Sequence, residues 1–304
     1  MNATFASALS AAHDAAAAQH YPQGALYVVA TPIGNLADIT LRALHVLQLV
    51  DALACEDTRH TQTLLRAYGI ERSGQALLAL HQHNEAEAAQ QVLARLQSGQ
   101  RVAYVSDAGT PAVSDPGARL VAAVRAAGLP VVPLPGASSV TTALSVAGVV
   151  DEVGAFVFAG FLPAKAGERA SAVQALAGER RAVLLLEAPH RVEALAEALA
   201  VLGPRPITVA RELTKQFETV RSGTLTELSE WVSRDAHQQL GEFVILIHGV
   251  PRAEREAVDE EAERILRILL EELPVSQAAA LAAKITGLKK NRLYEHALNL
   301  KGDG

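Results

Sequence analysis

Short apolar runs separated by amphipathic stretches make up most of this chain. Five runs, at residues 26–30, 52–55, 76–80, 102–106 and 131–134, are brief and apolar almost throughout, as strands covered on both faces are. Between them, residues 36–50, 58–68, 85–97 and 118–127 carry apolar positions at helical spacing. This alternation predicts a parallel sheet with helices on both faces, because a helical crossover is the economical way to join parallel neighbours.

A second set follows Pro135 and Gly136. A small-residue helix at 137–147 precedes strand patterns at 155–160, 182–186, 207–210, 219–222 and 243–248, with helical patterns at 165–177, 191–201 and 225–233. The strands at 207 and 219 are joined by too little chain for a crossover, so part of this sheet should be antiparallel. After Pro251 only helical patterns remain, at 256–273, 276–286 and 289–298, with breaks at Pro274 and Gly287. The expected fold class is α/β. Two α/β/α domains, a parallel sheet within residues 23–136 and a mixed sheet within 137–251, precede a helical appendage over 252–304.

Length agrees with that division, since 304 residues and 32.0 kDa exceed what one core usually serves. The Ala-rich first 22 residues contain no Lys or Arg, so the basic start of a targeting peptide is missing. They read as a flexible extension on a cytoplasmic protein. No apolar run reaches the roughly 18 residues of a membrane span, so no membrane partner is expected. The single cysteine, Cys55, lies in an apolar run, which predicts a buried thiol in a reducing compartment and excludes a cysteine zinc site. A formal charge of −6 argues against nonspecific coating of nucleic acid. Basic residues nevertheless concentrate late: nine Lys/Arg against seven Asp/Glu between residues 165 and 221, and five against two between 273 and 304. An anionic partner should land there.

In an open parallel sheet, ligands gather beyond the carboxyl ends of the strands. The segments there are Ala30 to Asn35, Glu56-Asp57-Thr58-Arg59, His81 to Glu85 and Asp107 to Pro111, all polar or rich in Gly and Pro. Asp38, Thr58 and Asn84 could each simply cap a helix. Residues 106–117 hold two glycines, two prolines and two carboxylates, a stiff loop able to approach a flat ligand closely. No GxxxxGK[ST] or GxGxxG spacing occurs, which argues against ATP and NAD. Acidic loops predict a ligand with positive charge or hydroxyl donors, a description that S-adenosylmethionine fits.

In order and spacing, residues 30–36 (ATPIGNL), 56–59 (EDTR), 106–117 (SDAGTPAVSDPG) and 135–139 (PGASS) resemble the tetrapyrrole methylase superfamily. Residues 160–165 (GFLPAK), 187–191 (EAPHR) and 211–215 (RELTK) agree further, so that the resemblance covers residues 25 to 250. It implies a two-domain methyltransferase with S-adenosylmethionine folded in the cleft between the sheets. The pocket implied here is Pro32, Asp107, Ala108, Gly109, Val113, Ala137, Ser138, Leu162, Ala188, Pro189, Arg211, Glu212 and Leu213. Glu187 and Arg191 either touch the cofactor or cap the second domain. Within the superfamily the match is to the branch acting on small-subunit ribosomal RNA. The implied substrate is therefore the 2′-hydroxyl of a decoding-region cytidine, cytidine-1402, of 16S rRNA in the small ribosomal subunit. A homodimer is implied, and no DNA partner. Porphyrinoid C-methylation and noncatalytic binding of RNA or cofactor are the alternatives.

Transfer to an alcohol is an in-line displacement, served by positioning and by a base. Asp57 or His83 would accept the proton, Arg59 would hold a carboxylate or phosphate, and Lys165 would lower the hydroxyl's pKa or contact phosphate. Asp57 and Arg59 could equally form a structural ion pair. Glu56, His81 and Asn84, with Lys284, Lys289, Lys290 and Arg292 in the tail helices, are the expected RNA contacts. No metal is expected, since neutral, hydrogen-bonded imidazoles account for His81 and His83.

Overall fold

The computed structural model describes residues 5–81, 84–150, 155–234, 239–250 and 260–302. Strands β1 (Leu26–Val29), β2 (Ala52–Cys55), β3 (Leu77–Ala79), β4 (Val102–Val105) and β5 (Val131–Leu134) form an all-parallel sheet in the order β3-β2-β4-β1-β5. Successive strand residues point to opposite faces. Tyr27, Val29, Leu53, Cys55, Ala103 and Val105 therefore enter a core shared with α1 (Ala6–Ala16), α2 (Leu41–Leu49) and α3 (Thr58–Ala67). Leu26, Ala52, Ala54, Val102 and Tyr104 enter another, shared with α4 (Glu85–Gln97) and α5 (Ala118–Ala126). Every position of β2 and β4 is buried, which is why their sequences are apolar without alternation.

Two expectations change in this domain. Residues 6–16, assigned to a flexible extension, form α1, whose Ala12 and Ala16 are buried while Phe5 meets the Tyr68 ring edge-on at 5.0 Å. Alanine is the best helix former, and its small side chains let a helix lie close on its neighbour. The helix expected over 36–50 is divided. A single 3-10 turn, Leu36–Asp38, starts where the Asn35 side chain accepts from Ala37 N, Ile39 is extended, and Thr40 caps α2 by accepting from Ala43 N at 3.1 Å.

The second sheet is mixed, as expected: β6 (Phe156–Gly160), β7 (Ala182–Glu187), β8 (Pro206–Arg211), β9 (Thr219–Thr224) and β10 (Phe243–Ile247) in the order β6-β7-β10-β8-β9. Only the β6–β7 pair is parallel. Helices α7 (Ala166–Ala175), α8 (Val192–Leu199) and α9 (Leu225–Ser233) cover one face. The other receives α6 (Ser139–Val146), in a cluster that joins Val140, Ala143, Leu184, Val244 and Leu246 to Ile33 of the first domain. Helices α10 (Glu260–Glu272), α11 (Val275–Thr286) and α12 (Lys290–Gly302) close a third core around Leu266, Ala279, Ala282 and Leu293. Residues 256–259 of the helix expected there lie outside the described residues. No helix among the described residues is long and apolar enough to cross a membrane.

One close approach fixes the end of the 106–117 loop. Gly117 has φ 114°, a Cβ there would lie 2.1 Å from the Tyr104 ring, and the Tyr104 hydroxyl donates to Pro116 O. Gly117→Ala is therefore expected to remove roughly 2–4 kcal/mol of stability. Urea unfolding checks this: the midpoint should fall at unchanged slope, and an unmoved midpoint would mean the loop yields freely.

Candidate active site

The loops that follow β1 and β4 are joined by their backbones. Thr31 N donates to Gly109 O at 2.9 Å and Gly109 N to Thr31 O at 3.1 Å, an isolated antiparallel bridge beyond the parallel sheet. Thr31 Oγ1 also donates to Ser106 O, and Thr110 Oγ1 to Ala137 O at 3.1 Å, which ties the loop to the start of the α6 segment. Within it Ala112 (φ 66°) and Ser114 (φ 64°) hold left-handed backbone that side chains disfavour. Glu212 (φ 52°) and Thr214 (φ 67°) do the same across the interdomain boundary. Such outliers cluster where a loop is over-determined by its surroundings.

Between the domains lies a cavity of about 350 Å³, bounded by Ile33 and by residues 108–110, 113–115, 138–140, 161, 186–189 and 242–244. Of the expected pocket residues, Ala108, Gly109, Val113, Ser138, Ala188 and Pro189 line it. Ala137 borders the loop through its carbonyl. The others do not line it. The Asp107 carboxylate accepts from Asp57 N at 3.3 Å, and Leu162 is buried in the second domain's core with its carbonyl receiving Arg191. Leu213 packs with Ile33 in the interdomain cluster, Pro32 only precedes Ile33, and Arg211 Nη1 donates to Leu240 O at 3.0 Å. Glu212 acts behind the wall: its Oε1 accepts from Glu242 N at 3.0 Å, and Lys215 Nζ bridges it to Glu242. Glu242, Phe243 and Val244 were missed because β10 runs antiparallel to β7, so the start of β10, with Phe243 beside Glu187, reaches the cleft. Thr110, Ser114, Asp115, Ser139, Val140, Phe161 and Leu186 complete the wall and extend motifs visible in the sequence.

Among the described residues the lining contains Asp115, Glu187 and Glu242 and no Lys or Arg. Burial pushes the Asp115 carboxyl up, opposed by a hydrogen bond from Ser106 and reinforced by the Asp107 charge. Burial and the Asp107 and Asp115 charges also raise Glu56. Glu187, 2% exposed, accepts from Ala188 N at 2.9 Å and pairs with Arg191 Nε at 3.1 Å, both through Oε1; its Oε2 is buried without a partner. Cys55 is fully buried, as expected, and burial pushes its thiol up to about 11.

The residues expected to do chemistry sit apart from this lining. Asp57 is the N-cap of α3, accepting from Arg59 N at 2.8 Å and His60 N at 3.4 Å. Arg59 is 92% exposed and 3.6 Å from Asp57, so the two form the structural pair. Lys165 is exposed and paired with Glu168 at 3.1 Å. His83 lies outside the described residues. Asn84 closes its own turn, accepting from His81 N at 2.8 Å and donating to Ala79 O. Lys284, Lys289, Lys290 and Arg292 are all exposed around the turn between α11 and α12. No group of three or more metal-ligating side chains occurs among the described residues.

Three comparisons bear on this architecture. The family profile described as tetrapyrrole (corrin/porphyrin) methylases matches residues 25–229, and that described as the RsmI C-terminal HTH domain matches residues 256–301. Curated relatives include the ribosomal RNA small subunit methyltransferase I of Pseudomonas aeruginosa, 50% identical with 92% of this chain and 98% of that one covered. The protein of that name from Escherichia coli O157:H7 is 49% identical, covering 92% and 96%. Among solved structures, uroporphyrin-III-C-methyltransferase of Thermus thermophilus superposes with TM-score 0.53 at 22% identity, covering 74% of this chain and 94% of that one. The cobalt precorrin-4 methyltransferase gives 0.55 at 18%, covering 75% and 98%. A Thermus uroporphyrin-III C-methyltransferase complexed with S-adenosylhomocysteine gives 0.51 at 18%, covering 73% and 96%. These superpositions share the fold.

Backbone N–H donors hold the Asp57 carboxyl below the usual aspartate range, so its capping contribution is present above that range and is lost as pH falls through the depressed value. Asp57→Ala should melt at a slightly lower temperature than the parent at pH 7, and the difference should close progressively below about pH 4. A deficit that persists in acid would indicate a packing role instead.

Proposed function

The chain belongs to the tetrapyrrole methylase family, and from that premise we propose that it is an S-adenosylmethionine-dependent methyltransferase acting on small-subunit ribosomal RNA. The carrying observation is the interdomain cleft, lined among the described residues by three carboxylates and no cation, and walled by the stiff loop after β4. The finer reading is transfer to the ribose 2′-hydroxyl of cytidine-1402. Relatives near 50% identity over nine-tenths of the chain carry a ribosomal RNA methyltransferase name, which favours RNA over a porphyrinoid substrate. The exposed Lys284, Lys289, Lys290 and Arg292 supply phosphate contacts away from the acidic cleft. The protein acts in the cytoplasm as a homodimer; β9 is a free sheet edge carrying Val220, with Phe217 exposed in its hairpin.

The residues present fit the methyl donor. Gly109 has φ 78°, and a Cβ there would lie 3.3 Å from Ile33 and 3.8 Å from Ala137 O, so the loop meets its neighbours with little room for a side chain. Loop 108–115, Ser138, Ala188 and Pro189 would hold it, and carboxylates suit a sulfonium. When bound, it supplies a methyl group on positively charged sulfur, whose transfer moves the C–S bonding pair onto sulfur. The chain's own task is to orient the hydroxyl and take its proton. Asp115 fits that task better than Asp57. It lines both this cleft and an adjoining groove bordered by Glu85 and Arg119, the only titratable residue common to both linings among the described residues.

A carboxyl raised by burial works as a base only once ionised, so activity should rise with pH through its elevated value. Purified protein with tritiated S-adenosylmethionine and 30S subunits, or with a tetrapyrrole, tests the substrate. Label should enter ribose of the rRNA; label in the tetrapyrrole alone would reverse the substrate assignment. Asp115→Asn should lower kcat about 100-fold or more, with the acidic limb of the pH profile lost. An Asp115→Asn enzyme with wild-type kcat would return the base role to another group. Gly109→Val should abolish cofactor binding and methylation together, and retention of both would remove the pocket assignment.

A further inference from the structure

Outside the cleft, the helical appendage carries the surface that its own fold explains least. Leu293 and Ala297 anchor α12 in the appendage core, and His296 Nε2, 2.9 Å from Glu263 Oε2, ties that helix to α10. Away from this buried side stands Tyr294. The other four of the chain's five tyrosines, Tyr21, Tyr27, Tyr68 and Tyr104, are buried, and each hydroxyl donates to a main-chain carbonyl. Tyr294 is 39% exposed, with Lys290 one helical turn before it and the exposed Leu298 one turn after. The charges beside it work against the helix that bears them. Lys290 and Arg292 occupy the first turn of α12 and no acid does, although a helix favours acids and disfavours cations at its amino end. Neither cation forms an ion pair with a described residue, whereas Arg264 and Arg267 of α10 are tied to Glu261 and Glu263. Cations that cost stability and neutralise nothing in the chain point to an external anion. The ring among them adds a demand that phosphate alone does not meet, a flat apolar face. An unpaired nucleotide has both features, while a duplex hides its base faces in the stack.

We propose that Tyr294 is a stacking platform for an unpaired base of the RNA substrate, with Lys290 on the adjoining phosphate and Leu298 extending the apolar face. The role rests on the reading of the substrate as ribosomal RNA and adds a preference to it: the appendage selects single-stranded over paired RNA. Because α12 is anchored by Leu293, Ala297 and the His296–Glu263 contact, the platform is fixed before RNA arrives.

Fluorescence anisotropy with the full-length chain tests this, using a labelled single-stranded RNA that spans the decoding-region cytidine and the same strand annealed to its complement. Wild-type protein should prefer the single strand. Tyr294→Leu, which keeps apolar bulk and removes the ring, should weaken single-strand binding roughly 10-fold, and Tyr294→Phe should retain it. The slope of log affinity on log salt should be unchanged in Tyr294→Leu and should shrink by about 0.7 in Lys290→Ala, which separates stacking from phosphate contact. Unaltered single-strand affinity in Tyr294→Leu, or equal loss on strand and duplex, overturns the proposal. So does a change of mass by light scattering in Tyr294→Leu with RNA affinity intact, which would make this face a contact between copies of the chain. Should wild-type protein bind neither RNA yet label the rRNA of 30S subunits, this proposal falls and the substrate reading stands; Tyr294-dependent binding with no label in rRNA does the reverse.

Discussion

Two backbone hydrogen bonds between Thr31 and Gly109 carry the central strands one step beyond the parallel sheet and turn the loop after β4 toward the second domain. Because the contact is made by main chain, it depends on the loop path rather than on any one side chain. That path is held at both ends, by Thr110 on Ala137 O and by Tyr104 on Pro116 O. Glu85, buried beneath, accepts from Gly117 N and Arg119 N and so fixes the start of α5 as well. Left-handed Ala112 and Ser114 are tolerated because this frame leaves them little alternative. The cleft thus inherits its shape from the sheet's own hydrogen bonding.

Charge is segregated with equal economy of means. Carboxylates converge where the strand ends meet, at Glu56, Asp107 and Asp115, and their mutual repulsion adds to burial in raising Glu56 and Asp115. Across the boundary, Glu212 and Glu242 are held by Lys215 behind the wall, so the cation neutralises them from outside the cavity. Exposed cations gather instead on α11 and α12, whose core is separate from those of the two sheets. A small cationic ligand and a large anionic one would therefore be drawn to different parts of one acidic protein.

Most of the architecture could be read in the sequence, because strands buried on both faces leave unbroken apolar runs and amphipathic helices leave a 3.6-residue period. The short link between β8 and β9 likewise disclosed the antiparallel part of the second sheet. What escaped had physical causes. Alanine carries no amphipathic signal strong enough to separate α1 from a low-complexity leader. Asp57 precedes a helix, and nothing in the letters Glu-Asp-Thr-Arg distinguishes a carboxylate that caps from one that abstracts protons. The first half of the cleft follows strand ends and was legible in the motif loops. The second half includes the beginning of an antiparallel strand, Glu242 to Val244, which only long-range pairing brings to the same edge.

On the proposed reading, a pocket whose described lining holds acids and neither lysine nor arginine is also selective in time. In the proposed reaction its occupant starts with a fixed positive charge on sulfur and ends as a neutral thioether. The attraction that helps to load the site is thus switched off by turnover itself, and the spent molecule leaves a surface that no longer favours it over a fresh one.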